Sequence, residues 1–261
     1  MEYKHILFDV LDRVAVVTLN IPQRLNPISI EVELEVLDAL RCAEAREDAG
    51  VAVITGAGEK AFSAGADIKP YQDMDLAKSL GYLQQLHEAE WAIENLRIPT
   101  IAAINGLCLG GGFELALGCT LRFASETARM GLPEVNVGCI PGNGGVQRLG
   151  RLIGKGRAMW YLLTGETMGA EEALNLGVVN RVFPQDKLLD ESLAFARNVL
   201  LNKPPIALWA LRKSLNLGLE VDLKTASEMD LQLESLCFAT EDFSEGVNAF
   251  LEKRSPRFVG R

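Results

Sequence analysis

The chain has 261 residues, 48% hydrophobic and 23% charged, proportions that suit one large globular domain or one domain with a small appendage. A formal charge of −9 argues against a broad nucleic-acid or anionic-membrane surface, yet leaves room for a local basic patch serving one anionic ligand. Cys42, Cys108, Cys119, Cys139 and Cys237 show neither CxxC pairing nor metal-ligand spacing, which suits free thiols in a reducing compartment. No basic segment followed by an apolar run opens the sequence. The longest uncharged stretch, 98–113, is broken by Pro99 and glycines and falls short of a membrane span. The expectation is a cytoplasmic protein with no nucleic-acid or membrane partner.

In chain order, "VAVVTLN" (14–20) reads as a strand, and Ser29 starts an amphipathic helix with Val32, Val36, Leu37 and Leu40 on one face. "VAVITG" (51–56) and "TIAAING" (100–106) are continuously apolar, as strands covered on both faces are. Residues 72–96 read as helix up to the break at Pro99, and the Gly110 region opens another. "LRFAS" (121–125) and "LGVVNRVF" (176–183) complete a strand–helix alternation that predicts an α/β fold with mainly parallel pairing. From Pro204 the pattern is wholly helical, with Pro204 and Pro205 at a helix start and Asp242 and Glu245 spaced as a capping box. Residues 1–200 are therefore expected to form the core, and 201–261 a helical region that covers a site or makes an oligomer contact.

"GAGEKA" (56–61) satisfies the GxGxxA dinucleotide pattern after a strand, but the pattern works only where a helix begins and offers its N-terminus to a pyrophosphate. Here "FSAGAD" follows, with Gly65 and small residues that interrupt such a helix, and Glu59 would face the phosphates. The simpler reading is a glycine turn after a buried strand.

Three segments together make a stronger chemical case. "AFSAGADIK" (61–69) keeps backbone accessible beyond a strand end. "GGGFELAL" (110–117) leads three glycines into a helix whose first-turn N–H groups attract negative charge. "MGLPEVNVGCIPGNGGVQRLGRLIG" (130–154) sets Glu134 after Pro133, ahead of Gly142, Gly144 and Gly145. Two backbone donors stabilise the oxygen of a forming enolate, where losing one donor typically costs about 2.7–4 kcal/mol of transition-state stabilisation. Two nearby carboxyl groups, their titrations separated by burial and mutual repulsion, divide the proton work of adding or removing water.

These segments, with "LLTGETMGAEEALNLGVVNRV" (162–182) and "AFLEKRSPRF" (249–258), resemble the crotonase (enoyl-CoA hydratase/isomerase) family in order over nearly the whole chain. The resemblance implies a crotonase-type spiral of ββα units with a C-terminal helical trimerisation region, assembling as a homotrimer or dimer of trimers. It implies an oxyanion hole from the N–H groups of Ala66 and Gly111, with Glu114 and Glu134 holding the water that adds across an α,β double bond. CoA and substrate contacts are implied for Ala64, Asp67, Ile68, Lys69, Gly110, Pro133 and Gly142, and for Phe250 and Lys253 across a subunit interface. The ligand is a coenzyme A thioester acting as substrate, with no metal or redox cofactor. Two glutamates point to hydration; isomerisation, or hydration of a cyclic enoyl-CoA, is the nearest alternative on the same scaffold, and a non-catalytic acyl-CoA- or RNA-binding protein a more distant one.

Residues 251–261 carry Lys253, Arg254, Arg257 and Arg261 against Glu252, a net +3 that suits the phosphates of coenzyme A. Two departures stand out: Asn26–Pro27, where the family usually has Asn-Ala, and Asn143, where alanine is more frequent and where a polar side chain is expected to alter the pocket. His5, beside an N-terminus expected to fray, and His87, on a polar helix, lack triad partners, which weakens a hydrolase reading. Cys108, Cys119 and Cys139 are expected as small packing residues, Trp91, Trp160 and Trp209 as core or interface, and Tyr71 as lining the acyl pocket.

Overall fold

The structure is a computed structural model and describes residues 2–261. Strands β1 (Ile6–Leu11) and β2 (Val14–Leu19) form an antiparallel hairpin turned by Asp12 and Arg13, both at positive φ. Helix α1 (Ile30–Glu44) follows, and the Ser29 hydroxyl caps it by accepting from the Val32 N–H. Three strand–strand–helix turns come next. They are β3 (Val51–Gly56), β4 (Ala61–Ser63) and α2 (Leu76–Glu94); β5 (Thr100–Ile104), β6 (Leu107–Leu109) and α3 (Gly111–Gly118); and β7 (Leu121–Ser125), β8 (Arg129–Gly131) and α4 (Gly145–Ile153).

The first strand of each turn enters a six-stranded sheet ordered β1-β2-β3-β5-β7 and closed by a later strand, β10; the second strand enters a smaller sheet. After α4 come α5 (Lys155–Thr164), β9 (Met168–Gly169), α6 (Ala170–Asn175), β10 (Arg181–Phe183) and α7 (Leu188–Phe195), which runs into a π turn. β9 completes the small sheet in the order β4-β6-β8-β9. Helices α8 (Pro205–Gly218), α9 (Leu223–Phe238) and α10 (Glu241–Glu252) make the C-terminal region.

The continuous apolar strands are explained by cover on both faces. Ala52, Ile54, Ala102 and Ile104 point into the core beneath α1 and α3, whereas Val51, Val53, Ile101 and Ala103 point to a second core closed by α7. No helix among the described residues is long and apolar enough to cross a membrane. "GAGEKA" makes a turn between β3 and β4 with no helix, so the dinucleotide pattern has no structural basis here. Arg212 of α8 ties the helical region to the core by donating to the carbonyls of Glu94, Leu96 and Ile98 at 3.0, 2.8 and 2.9 Å.

Several local expectations are corrected. The helix expected over 72–96 starts at Leu76, because the Asp75 carboxylate accepts from Lys78 N–H at 2.8 Å and so caps it. Only Arg181–Phe183 of 176–183 is strand, since Gly177 adopts φ +77° and turns the chain first. Thr240, not Asp242, caps α10; Asp242 is buried and accepts from the N–H groups of Val259 and Gly260. His5 is not frayed: its backbone and ring meet the Glu35 carboxylate at 2.8 and 3.1 Å. Cys139 is exposed rather than a packing residue. Trp91 and Trp160 are exposed as well, which leaves an interface as their expected place.

Arg122 of β7 is buried at the C-terminal end of α3, where it donates to the Cys119 carbonyl at 2.8 Å and the Val178 carbonyl at 2.7 Å. Arg122→Met removes these charge-assisted bonds, and urea denaturation should show a loss of about 2–4 kcal/mol.

Candidate active site

The small sheet brings three turns together. β4, β6 and β8 run parallel as neighbours, so the residues that follow them in sequence emerge side by side. After β4, Ile28 N–H donates to Gly65 O at 2.9 Å and Asp67 N–H donates to Ile28 O at 2.8 Å. That parallel bridge turns the N–H of the intervening Ala66 away from Ile28. Gly65 has φ +113°, and a Cβ there would lie 3.2 Å from the Leu109 carbonyl oxygen, so only glycine fits this approach.

After β6, Gly110 turns the chain at φ +50° and ψ −129°, and α3 begins. A Cβ on Gly112 would fall 2.4 Å from Ser63 Cβ, which shows how closely α3 sits on the end of β4. A Cβ on Gly111 would stand 3.8 Å from Ala66 N. Among the described residues neither the Ala66 N–H nor the Gly111 N–H has an acceptor. Two free backbone donors thus lie side by side at a helix N-terminus, an arrangement made for an oxygen gaining negative charge.

Two carboxyl groups adjoin them. Glu114 sits in the first turn of α3, buried, and its Oε1 accepts from Asn143 N–H and Gly145 N–H, each at 2.8 Å. A Cβ on Gly145 would lie 2.8 Å from that oxygen, so the grip depends on glycine. Burial raises the Glu114 pKa, while the two N–H groups and the Arg148 charge oppose the rise. Glu134 follows Pro133 at the start of a 3-10 turn, and a Cβ on Gly110 would lie 3.0 Å from its Oε1. Its Oε2 is buried without a partner. Burial pushes Glu134 up to about 7, the Glu114 charge acts in the same sense, and its own backbone N–H opposes. Tyr71 stands near both glutamates, edge-on to Tyr82 at 5.8 Å, and burial raises its hydroxyl pKa.

The structure therefore joins Ala66, Gly110, Gly111, Glu114, Pro133 and Glu134 in one site. Ala64 donates its N–H to Leu25 O at its edge, and Asp67 pairs with Arg24 at 2.8 Å. Ile68 and Lys69 are exposed beyond Asp67, and Gly142 faces Leu83, 3.1 Å from where a Cβ would be. Phe250 stands on α10 and Lys253 ends it at φ +56°; α10 packs on α9 rather than on the turns of the site. The basic tip is less free than its composition suggests. Arg254 is paired with Glu245 and Glu252 at 2.6 Å each, and Arg261 with Glu241 at 3.1 Å. At the Asn26–Pro27 departure, the Asn26 amide donates to Ala57 O and Ala61 O and accepts from Ile21 N–H, locking the turn that leads to Ile28.

Sequence reasoning missed Glu33, Glu90 and Arg148, which lie around Asn143 beside Glu114. A signal was present: Glu33 falls on the α1 stripe of Val36, Leu37 and Leu40, and Glu90 falls between Leu86 and Ile93 on the buried face of α2. Among the described residues no group of three or more His, Cys, Asp or Glu side chains is placed to hold a metal ion.

The family model for enoyl-CoA hydratase/isomerase matches residues 10–261. The chain belongs to this family. A probable enoyl-CoA hydratase of Rhizobium meliloti is 42% identical over 261 residues, covering all of both chains. A crotonyl-CoA hydratase of Syntrophomonas wolfei is 38% identical over 263 aligned positions, again over all of both. The solved structure of an enoyl-CoA hydratase subunit I from Geobacillus kaustophilus superposes with a TM-score of 0.95 at 40% identity, covering all of both chains. The three ββα turns and the helical C-terminus are thus the crotonase fold.

Because Glu134 owes part of its raised pKa to the Glu114 charge, an NMR titration of carboxyl-labelled glutamate should place it near 7, and lower in Glu114→Gln. An unchanged midpoint in that variant would show the two groups to be electrostatically independent.

Proposed function

We propose that this chain hydrates a trans-2-enoyl-CoA to the 3-hydroxyacyl-CoA and runs the reverse dehydration, with syn addition of water. The observation that carries the reading is the placement of two unpartnered backbone donors beside two carboxyl groups, Glu114 buried and Glu134 half-buried. The family membership and the hydratase names of its relatives support the same substrate class.

The thioester oxygen accepts from Ala66 N–H and Gly111 N–H, which draws electron density from the double bond. Glu114, held as a carboxylate by two N–H donors, takes a proton from water as its oxygen bonds to the β-carbon. The electron pair of the double bond moves onto the thioester as an enolate, whose charge the two donors stabilise. Glu134, which no donor holds except its own backbone N–H, carries a proton near neutral pH and delivers it to the α-carbon. The scheme balances without a metal or a redox group, and both glutamates act on one face of the bound chain, which makes the addition syn.

The thioester's nucleotide end runs past Ala64, Asp67, Ile68 and Lys69, and Phe250 and Lys253 reach it from a neighbouring subunit. Residues 1–200 form the catalytic core and 201–261 the assembly region of a homotrimer or dimer of trimers. Exposed Leu211, Leu215, Leu231, Phe250 and Leu251 on α8–α10 support that role. Five free cysteines without a disulfide framework support action in the cytoplasm.

Hydration rates with linear, branched and cyclic enoyl-CoA thioesters test the reading, with product analysis separating hydration from isomerisation. Glu114→Gln and Glu134→Gln should each lower turnover by about 10²-fold or more. The kcat/KM for hydration should fall as pH rises through about 7, where Glu134 loses its proton, and that for dehydration should fall as pH drops through the same value. A protein that binds acyl-CoA and turns over no enoyl-CoA overturns the proposal.

A further inference from the structure

Asn143 is the meeting point of three buried carboxyl groups. Glu33 of α1 is 1% exposed and Glu90 of α2 0%, and the Asn143 amide donates one N–H to Glu33 Oε1 at 2.9 Å and the other to Glu90 Oε2 at 2.5 Å. The same residue's backbone N–H holds Glu114 Oε1 at 2.8 Å, and its carbonyl accepts from Arg148 Nη1 at 2.9 Å. Arg148 also meets Glu90 Oε1 at 3.3 Å and Glu94 Oε2 at 2.7 Å.

Four carboxyl groups thus surround the arginine, and like charges in a buried site oppose full ionisation. Two buried oxygens here, Glu33 Oε2 and Asn143 Oδ1, have no partner. Both are acceptors, so the donor missing from a fully ionised cluster is a carboxyl proton. Burial foremost, with the Glu114 charge, pushes Glu33 up to about 8, against the bonds from Asn143 and Glu90 and the Arg148 charge. Burial and the neighbouring carboxylates of Glu33, Glu114 and Glu94 hold Glu90 well above the usual range, while Arg148 opposes. Tyr82 of α2 also faces Glu33, and its hydroxyl is raised by burial first, then by Tyr71, and after it by the Glu33 and Glu31 carboxylates.

We propose that Glu33, Glu90 and Asn143 form a positioning assembly: the two glutamates retain a proton between them, and the amide they hold aims the Asn143–Gly145 turn at Glu114. This rests on the reading of Glu114 as a reacting carboxylate. Deprotonation places a further negative charge beside Glu114 and drives apart the two groups that Asn143 bridges.

Glu33→Gln tests the assembly, since an amide accepts from Asn143, supplies a permanent N–H for the unpartnered oxygen and does not titrate. The folded-state value of Glu33 lies above its unfolded value near 4.3, so its stabilising share is full at low pH and is lost as pH rises through about 8. The Tm of the wild type should therefore fall relative to Glu33→Gln by about 5 °C or more between pH 5 and 9, on the order expected for a domain of this size. Infrared difference spectra at pH 7, wild type minus Glu33→Gln/Glu90→Gln, should show a protonated-carboxyl band beyond the Glu134 band that both proteins share. Asn143→Ala should lower kcat about tenfold, with KM within about twofold, as expected for misaimed acid–base help.

A Tm gap that stays flat with pH, or a difference spectrum with no protonated-carboxyl band, overturns the assembly. So does an equal change of kcat and KM in Asn143→Ala. If Asn143→Ala does not fold, the melting and infrared measurements decide alone. Both are independent of turnover, so a wild type that hydrates no enoyl-CoA refutes the proposed reaction without touching them.

Discussion

The site depends on one close approach: the first turn of α3 lies directly on the end of β4. Gly112 sits where any side chain would strike Ser63, and Gly65 where one would press on the Leu109 carbonyl. With side chains removed from both surfaces, the backbone of 65–66 and that of 110–111 come near enough for two N–H groups to serve one oxygen. The bond from Gly110 N–H to Gly131 O then ties the third turn, which carries Glu134, to the same edge. The glycines are therefore geometric requirements, and their flexibility is removed by the bridge at Ile28 and by the tight packing around them.

The second constraint is charge. A chain with an excess of acidic residues buries Glu33, Glu90 and Glu114 within reach of one arginine, a number of carboxylates that no single cation balances. Donors settle the question of which group stays ionised. Glu114 has two backbone N–H groups on one oxygen; Glu134 has only its own backbone N–H and a like charge nearby. Two residues of the same type thus meet opposing surroundings, and the proposed reaction draws on that difference.

Much of this was legible in the sequence, and what was not has identifiable causes. The continuous apolar runs at 51–56 and 100–106 announced strands covered on both faces, and Ser29 announced its helix, because these signals are local. Glu114 and Glu134 were readable because each stands beside a feature that makes a carboxyl group costly or useful: glycines opening a helix, and a proline turn. The strands β4, β6 and β8 are three residues long, too short for an alternation pattern, yet they align the site. Asp242 looked like half of a capping box because its spacing to Glu245 is right, but its true acceptor role is toward Val259 and Gly260, a long-range contact that spacing does not encode. Cys139 shares the composition of a packing residue and is exposed because its turn projects outward.

Asn143 shows where local reading fails most instructively. Judged by position alone, a polar residue beside the active centre was expected to change the polarity of the substrate pocket. Its amide instead joins α1 to α2, and its backbone reaches α3 and α4. An alanine at this place has no means of pairing with Glu33 or Glu90, so the three polar residues make sense only together: the amide without the acids would be unsatisfied, and the acids without the amide would face each other directly. The consequence for catalysis runs through one peptide unit. The N–H that steadies Glu114 belongs to the residue that the buried acids hold in place, so in the proposed mechanism the protonation of that pair bears on the carboxylate that takes the water proton.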